Sequence, residues 1–140
     1  MRLTKDVLLV GGGNLGFNLS HPLDCHVYLI DGGDELALVD TGIGGHLGQS
    51  DVIIENIKDD GVDLNKISTL LLTHYHTDHA GGSKDFRERL GVNVVGSPLT
   101  AKTLEAGDEE TISLPFAKKA GFYPQDYVYE ACPCTPGLIE

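Results

Sequence analysis

The sequence predicts an α/β (α+β) fold, because β-prone runs dominate its beginning and helices alternate with strands after them. Residues 7–10 form a short apolar run that ends in glycines, which is typical of a strand followed by a loop. Residues 26–31 and 35–40 are apolar runs joined by a Gly-Gly-Asp link at 32–34, and such a link between β-prone runs predicts a hairpin. The predicted order is a hairpin-rich start followed by helix, strand, helix, strand and helix, which excludes an all-β protein and a helical bundle.

The first helix and the strand after it are predicted from apolar spacing. Residues 50–60 place isoleucines at helical spacing before Gly61, which favours a helix with a glycine beyond its end. Residues 67–72 are a largely apolar run bounded by polar residues, and we expect a buried strand there.

The later elements are shorter. Residues 83–90 and 99–106 are expected to be helices, the second one after the Ser-Pro pair that is typical of a helix start, with a strand at 92–95 between them. Prolines interrupt the pattern beyond residue 108, so the end of the chain is expected to be an extended loop. Within it, Tyr127 and Tyr129 are expected to be packing residues.

Composition restricts the classes of partner. The 140 residues fit a single domain, 1–140, and carry a formal net charge of −11 without a basic run, so no nucleic acid is expected as a partner. No apolar stretch reaches the roughly 18 residues that a membrane span needs, so no membrane partner is expected. Three cysteines are an odd number for a disulfide framework and indicate reduced thiols, which predicts a cytoplasmic protein.

A cluster of metal-binding side chains comes directly after the predicted strand at 67–72. It contains His74, His76, Asp78 and His79, and all four are good ligands for a borderline metal such as Zn²⁺. In an extended segment the first two histidines point to the same side and can share one ion. The glycines that follow allow a tight turn, which lets Asp78 and His79 reach a second ion. The alternative is a solvated loop with ordinary surface histidines, but a cluster placed after a buried strand can be held rigidly.

Two stretches resemble the metallo-β-lactamase superfamily. Thr-His-Tyr-His-Thr-Asp-His-Ala-Gly-Gly at 73–82 resembles its HxHxDH motif, and Leu-Val-Asp-Thr-Gly at 38–42 is similar to its first motif. The resemblance covers about residues 7–107 and implies one αβ half of an αββα sandwich. It also implies roles for individual residues: His74 and His76 would bind a first metal ion, Asp78 and His79 a second one, and Asp40 would orient a histidine ligand.

The resemblance implies metal-dependent hydrolysis of an ester, thioester, lactone or amide bond in a small molecule. Two zinc ions would activate water near neutral pH and polarise the carbonyl group that it attacks. Asp78 would be the catalytic residue that orients this water and accepts its proton. Histidine at 76, where flavo-diiron members of the family carry glutamate, favours zinc and leaves iron or manganese open. The substrate stays open, since substrate-contacting loops vary on a common fold.

The sequence departs from the family pattern after His79, because no further histidine follows. The pattern requires a third histidine for the first ion, a bridging aspartate and a late histidine for the second ion. Family members also usually carry a second αβ half, so we expect this chain to be truncated at its C-terminus. Cys134 precedes Thr-Pro-Gly about where the third histidine would fall, and a thiolate is a competent zinc ligand. The match is short, and Cys134 is kept only as an alternative ligand.

Two other functions stay open. The first is a catalytically incomplete half-domain that binds metal weakly, which shares every motif with the hydrolase. The second is a dinucleotide-binding module, because the glycines between Gly11 and Gly16 match GxGxxG after an apolar strand. Such a module needs a helix that opens at these glycines, and Pro22 would break it.

A lone αβ half is expected to leave one face of its sheet uncovered. Since soluble monomers rarely tolerate a large apolar patch, a homodimer about a twofold axis is expected to cover this face. The residues expected to be at risk are Val27, Leu29, Leu36, Leu38, Leu70 and Leu72.

Overall fold

The computed structural model describes residues 1–137, which form one mixed sheet with helices packed against it. The strands are β1 (Val7–Gly11), β2 (Val27–Asp31), β3 (Leu36–Val39), β4 (Ile67–Leu71), β5 (Asn93–Gly96) and β6 (Thr135–Pro136). The helices are α1 (Ser50–Asp59), α2 (Thr77–Ala80), α3 (Ser83–Leu90), α4 (Pro98–Ala106) and α5 (Leu114–Lys119), with a short 3-10 helix at Leu64–Lys66. The predicted α/β class and element order are confirmed, whereas α2, α5 and β6 were not predicted.

The six strands lie in chain order and change from antiparallel to parallel pairing at β3. The first three strands form an antiparallel meander, and β3 to β6 run parallel, because helix-containing connections return the chain to the same end of the sheet. The carboxyl ends of β3 and β4 therefore lie at one edge of the sheet. The antiparallel β2 begins at that same edge, since Tyr28 is paired with Val39.

Capping residues mark the start of α4 and the ends of α3 and α4, close to the predicted bounds. The Ser97 hydroxyl accepts a hydrogen bond of 3.1 Å from the Thr100 amide at the start of α4. Gly91 and Gly107 follow α3 and α4 with φ of 69° and 58°, in the left-handed region that terminates a helix.

One face of the sheet is covered by helices. Leu29, Leu38 and Leu70 are neighbours across three strands, and each is 0% exposed. They join the isoleucines of α1 and Phe86 of α3 in one apolar cluster. This is the face that we expected to be uncovered, and the expectation was wrong. The named residues are at most 4% exposed, because the helices pack on the leucine-rich side of the pleat: Val27, Leu29, Leu36, Leu38, Leu70 and Leu72.

The opposite face carries apolar side chains that reach solvent. Tyr28, Val39, Leu71 and Val95 lie opposite one another on β2 to β5 and form a row across the sheet. Leu71 is 38% exposed, and Ile30 on the same face is 41% exposed. We call this side of the sheet the open face.

The last part of the chain is mostly irregular, as expected, but it is well packed. Tyr127 and Tyr129 are 0% and 2% exposed, which confirms them as packing residues. Both side chains reach loops that follow strands, since the Tyr127 hydroxyl donates to the Ile43 carbonyl and the Tyr129 hydroxyl donates to the Tyr75 carbonyl at 2.9 Å. None of the helices within residues 1–137 has the length and apolarity needed to span a bilayer.

Candidate metal centre

The candidate centre lies at the edge where β3 and β4 end. Asp40 follows β3, and the segment that begins at Thr73 follows β4. The two ends are tied together, because the Asp40 amide donates to the Leu71 carbonyl at 2.9 Å. Because β3 and β4 are parallel, the stretches at 38–42 and 73–82 lie next to each other at this edge.

The Asp40 carboxylate connects the two motifs. One of its oxygens accepts from the Thr73 amide at 2.8 Å, and the other lies 2.8 Å from both the Thr73 hydroxyl and His79 Nδ1. Asp40 is buried and has a left-handed backbone with φ of 61°, which aspartate tolerates better than most residues. A carboxylate that orients a histidine ligand makes this kind of contact with the ring. The sequence predicts this orienting role for Asp40, and the role stays a prediction.

Three imidazole rings converge after β4. The ring centroid of His74 lies 4.7 Å from that of His76 and 4.1 Å from that of His79. His74 Nδ1 is 3.0 Å from the Thr73 hydroxyl, whose single proton goes to Asp40. His74 Nδ1 must then donate, which leaves the lone pair on Nε2 available to a metal ion.

Asp78 and His79 belong to α2, a single helical turn, and they face each other. His79 Nε2 lies 3.3 Å from an Asp78 carboxylate oxygen. Burial opposes the charged form of His79, but its hydrogen bonds to Asp40 and Asp78 raise its pKa to about 12. Burial alone would raise the pKa of Asp78, and the hydrogen bond to His79 lowers it instead. The protonated imidazole therefore balances two carboxylates, and an ion that binds Nε2 must displace that proton.

The pKa of His74 is shifted in the opposite direction to that of His79. Burial, together with the neighbouring His79 and His76 rings, lowers the pKa of His74. A neutral imidazole is the form that binds a metal ion, so His74 is ready to bind near neutral pH.

Residues outside the cluster donate hydrogen bonds to the backbone of the segment that carries these side chains, or accept hydrogen bonds from it. The Thr41 hydroxyl and amide both lie 2.8 Å from the His79 carbonyl oxygen, and the Gly82 amide donates to the Thr41 hydroxyl at 3.0 Å. Tyr129 fixes the carbonyl of Tyr75, the residue between His74 and His76. These contacts fix the backbone of the segment and thereby position the candidate ligands on it.

Two residues of the centre were missed by sequence reasoning. Thr73 stands next to the cluster and could have been noticed as a hydroxyl between a strand and a ligand. Cys25 lies 15 residues before Asp40 in sequence, and only the strand pairing brings it close. Its amide donates to the Asp78 carbonyl at 3.2 Å.

A cavity of about 590 Å³ opens beside the centre. Its polar wall includes Asp40, Asp78 and His79, and its other wall is formed by residues 14–16 and 22–26 of the loop between β1 and β2. This loop contains the second and third glycines of the GxGxxG match, whereas Gly11 ends β1. Between residues 12 and 26 the chain makes turns and no helix, so the helix that a dinucleotide-binding module requires is not formed there.

The Cys134 side chain is buried against residues other than those of the histidine cluster. It is 4% exposed, directly precedes β6, and its sulfur faces the position where Gly96 lacks a side chain. Among residues 1–137, the side chains of Cys25, Asp40 and His79 lie close enough to one another to share an ion. Cys134 is not part of this group, and neither are the predicted ligands His74, His76 and Asp78.

Comparison with known proteins decides the family. Residues 21–131 match the family model of the Metallo-beta-lactamase superfamily. The chain belongs to this superfamily. The hydroxyacylglutathione hydrolase of Chromohalobacter salexigens is 27% identical over 125 residues, which are 83% of this chain and 46% of the relative. The atrochrysone carboxyl ACP thioesterase of Aspergillus chevalieri is 40% identical over 90 residues, which are 60% of this chain and 25% of the relative.

Solved structures of metallo-β-lactamases share the fold. The HARLDQ-motif metallo-β-lactamase of Cronobacter sakazakii superposes with a TM-score of 0.71 at 21% identity, over 96% of this chain and 45% of that protein. The predicted αβ part of a metallo-β-lactamase fold is thereby confirmed. The chain spans less than half the length of each of these three proteins.

Members of the superfamily are hydrolases and bind metal ions, usually zinc. The residues at this centre fit such an ion, because the rings of His74, His76 and His79 lie next to one another, and His79 and Asp78 line the cavity. The arrangement combines the ligand types of a zinc site with a buried carboxylate that orients one of them.

Proposed function

We propose that the intact protein is a metal-dependent hydrolase with two zinc ions, which cleaves an ester, thioester, lactone or amide bond. The observation that supports this most directly is the convergence of the His74, His76 and His79 rings beside Asp78, with Asp40 behind His79. Three histidines and two carboxylates in these contacts are unusual for a solvated loop, because each carboxylate is paired with a ring nitrogen.

In this proposal His74 and His76 hold one ion, and Asp78 and His79 hold the other. The ions would supply an activated water molecule and would polarise the substrate carbonyl group. Asp78 is the catalytic residue that orients this water and accepts its proton on a carboxylate oxygen. Asp40 keeps a proton on His79 Nδ1, which leaves Nε2 to face the ion. Iron or manganese in place of zinc is the alternative that the same ligands allow.

The proposed substrate is a small molecule. The cavity beside the centre has a polar wall at the candidate ligands and a less polar wall that includes Leu15 and Leu23. Leu15 is 99% exposed, so it offers apolar surface at the rim of the cavity. One relative is by name a thioesterase, which favours a thioester among the four bond types. The net charge of −11 argues against a nucleic acid substrate.

The alternative is that this chain binds metal and catalyses nothing on its own. The proposed assignment gives each ion only two protein ligands, whereas zinc sites use three or four. The chain also spans less than half the length of its relatives. We therefore expect zinc to bind more weakly to this chain than to a complete site.

Zinc binding and hydrolysis test the proposal separately. His74→Ala and His79→Ala should each weaken zinc binding to the metal-free protein, measured by competition with a chromogenic chelator. His46→Ala is the matched control, since His46 lies outside the cluster and contacts exposed Asp126 at 3.7 Å. Hydrolysis of a panel of thioesters, esters and lactones by the full-length protein should depend on the same two histidines. Zinc binding unchanged in both variants would contradict the proposal.

We also propose that the open face is covered in the folded protein, and that a second copy covers it when this chain is alone. Leu71 and Ile30 lie on this face with 38% and 41% of their surfaces exposed. Sedimentation at low micromolar concentration should show a dimer that Leu71→Lys dissociates, and a stable wild-type monomer would contradict this. The cytoplasmic location expected from the three cysteines stays a prediction.

A further inference from the structure

The cavity beside the candidate centre is also lined by polar side chains that the chain itself does not use. These are Asn14, His26 and Tyr28. Within residues 1–137, their side chains make no hydrogen bond to the rest of the chain, whereas buried side-chain nitrogen and oxygen atoms all have partners. Both oxygens of Asp40, on the ligand side of the same cavity, accept hydrogen bonds. The hydrogen-bonding capacity of the first three side chains is therefore available to a bound molecule.

A glycine makes room for the His26 ring at the cavity. His26 is half-buried directly before β2, and its ring is stacked on that of Tyr28, with 6.1 Å between the centroids. A Cβ atom at residue 16 would collide with His26 Nε2, so only glycine leaves space for this ring. Gly16 is the third glycine of the GxGxxG match. The motif thus has a packing role in this chain, and the ring that it accommodates lines the cavity.

The backbone places His26 close to the candidate ligands. The amide of Cys25, the residue before it, donates to the Asp78 carbonyl at 3.2 Å. This contact attaches the start of β2 to α2, the turn that carries Asp78. A substrate whose carbonyl group lies at the ions can therefore reach His26 with a group only a few bonds away.

The unused side chains match a neutral amide group. The asparagine amide and the tyrosine hydroxyl each offer a donor and an acceptor, and a neutral imidazole offers one of each. An amide of a substrate likewise has one N–H donor and one carbonyl acceptor. Side chains that can both donate and accept are complementary to both of these groups.

The charges around the cavity disfavour an ionic group at this position. Among the cavity-lining residues that the structure describes, none is lysine or arginine, and three are aspartates: Asp24, Asp40 and Asp78. An anionic group would be repelled by these carboxylates. A cation finds no free partner in Asp24, since its oxygens already accept hydrogen bonds from Ser20, His21 and Ile43.

We propose that His26 is a specificity-determining residue that binds a neutral amide group of the substrate, with Asn14 and Tyr28 beside it. The substrate class is then a carbonyl compound, such as a thioester, that carries an amide a few bonds from the scissile bond. This inference rests on the proposed hydrolytic function and names the substrate class of the same site. His26 takes no part in bond cleavage and acts on substrate binding alone.

Two thioesters that share one acyl group test this role in the full-length, zinc-loaded protein. The leaving thiol of the first is N-acetylcysteamine, which carries an amide, and that of the second is isohexanethiol, which has the same shape without the amide. His26→Phe keeps a ring beside Tyr28 but has no nitrogen. It should lower the ratio of the two kcat/KM values, amide over alkyl, about 3–10-fold, the effect of one lost hydrogen bond.

Three variants make this comparison specific. His26→Gln restores a donor and an acceptor and should recover most of the ratio. Gly16→Ala should lower the ratio as His26→Phe does, because the added methyl group displaces the ring. His46→Phe is the matched control that should leave the ratio unchanged, since His46 does not line the cavity and contacts Asp126 at 3.7 Å. Urea unfolding of each variant shows whether it is folded.

Binding without hydrolysis is the second measurement. N-ethylacetamide, added to the metal-free chain, should shift the NMR signals of the His26 ring and leave those of the His46 ring in place. A ratio that His26→Phe does not change, or His26 signals that do not move, would overturn the inference; zinc-dependent hydrolysis of either thioester would still support the proposed function. Shifted His26 signals without hydrolysis of either thioester would contradict the proposed function and support the amide site.

Discussion

Asp40→Asn tests whether the carboxylate behind His79 sets the geometry of the centre. Asp40 accepts three hydrogen bonds of 2.8 Å, two from Thr73 and one from His79 Nδ1. Asparagine has the same shape and tolerates the left-handed backbone at this position, where φ is 61°. Its amide nitrogen, however, replaces one acceptor by a donor. Whichever way the amide faces, at least one of the three donors loses its partner.

The expected magnitude follows from burial. A buried donor left without an acceptor costs about 1–3 kcal/mol, so we expect the free energy of unfolding of the metal-free protein to fall by that amount. Removing the partner that orients a metal-bound histidine weakens metal binding by about 10–100-fold. We expect zinc affinity to fall within this range. Because the side chain keeps its volume, no cavity adds to either effect.

Urea unfolding in the presence of chelator measures the first quantity, and competition with a chromogenic chelator measures the second. Asp59→Asn is the control, since Asp59 is exposed at the end of α1, and both quantities should change by less than about 0.5 kcal/mol. An Asp40→Asn variant that binds zinc as tightly as the wild type would refute the argument that Asp40 orients His79.

Three further predictions concern the rest of the chain. Tyr129→Phe removes the hydroxyl that donates to the Tyr75 carbonyl, and the free energy of unfolding should fall by about 0.5–1.5 kcal/mol with weaker zinc binding; a loss of stability alone would limit Tyr129 to packing. Leu38→Ala should lower the free energy of unfolding by about 2–5 kcal/mol, and Leu71→Ala by less than half as much, unless the open face is covered in solution. Burial raises the pKa of Asp24 in the folded protein, so its contribution to stability falls as pH rises from about 4 through the folded pKa. Asp24→Asn should flatten that decline in urea unfolding measured at several pH values, and an unchanged slope would contradict this.

The fold could be predicted largely because strand and helix patterns are local. The runs at 26–31 and 35–40 became β2 and β3, and the Ser97 cap began α4 as expected. Which face of the sheet the helices cover could not be predicted in the same way. Both sides of β2 and β3 carry apolar side chains, so period-two alternation does not say which side the helices cover.

The candidate centre was predicted where its residues are contiguous and missed where they are not. His74 to His79 stand in one short stretch, and their convergence follows from a strand that ends in a turn. Cys25 joins them only because β2 runs antiparallel to β3 and begins where β3 ends. No spacing rule in the sequence relates residue 25 to residue 79, since pairing between strands, not distance along the chain, brings them together.

The hydroxyl contacts of the two buried tyrosines determine when the centre can assemble during synthesis. Tyr129 contacts Tyr75 across 54 residues, and Tyr127 contacts Ile43 across 84 residues. Contacts of such long sequence separation form late in folding. On a ribosome, the histidine segment emerges well before either tyrosine, and until then its contacts are with earlier residues such as Cys25, Asp40 and Thr41. A nascent chain that meets metal ions early thus offers ligands that lack these two contacts, and both contacts form only after Tyr129 has left the exit tunnel.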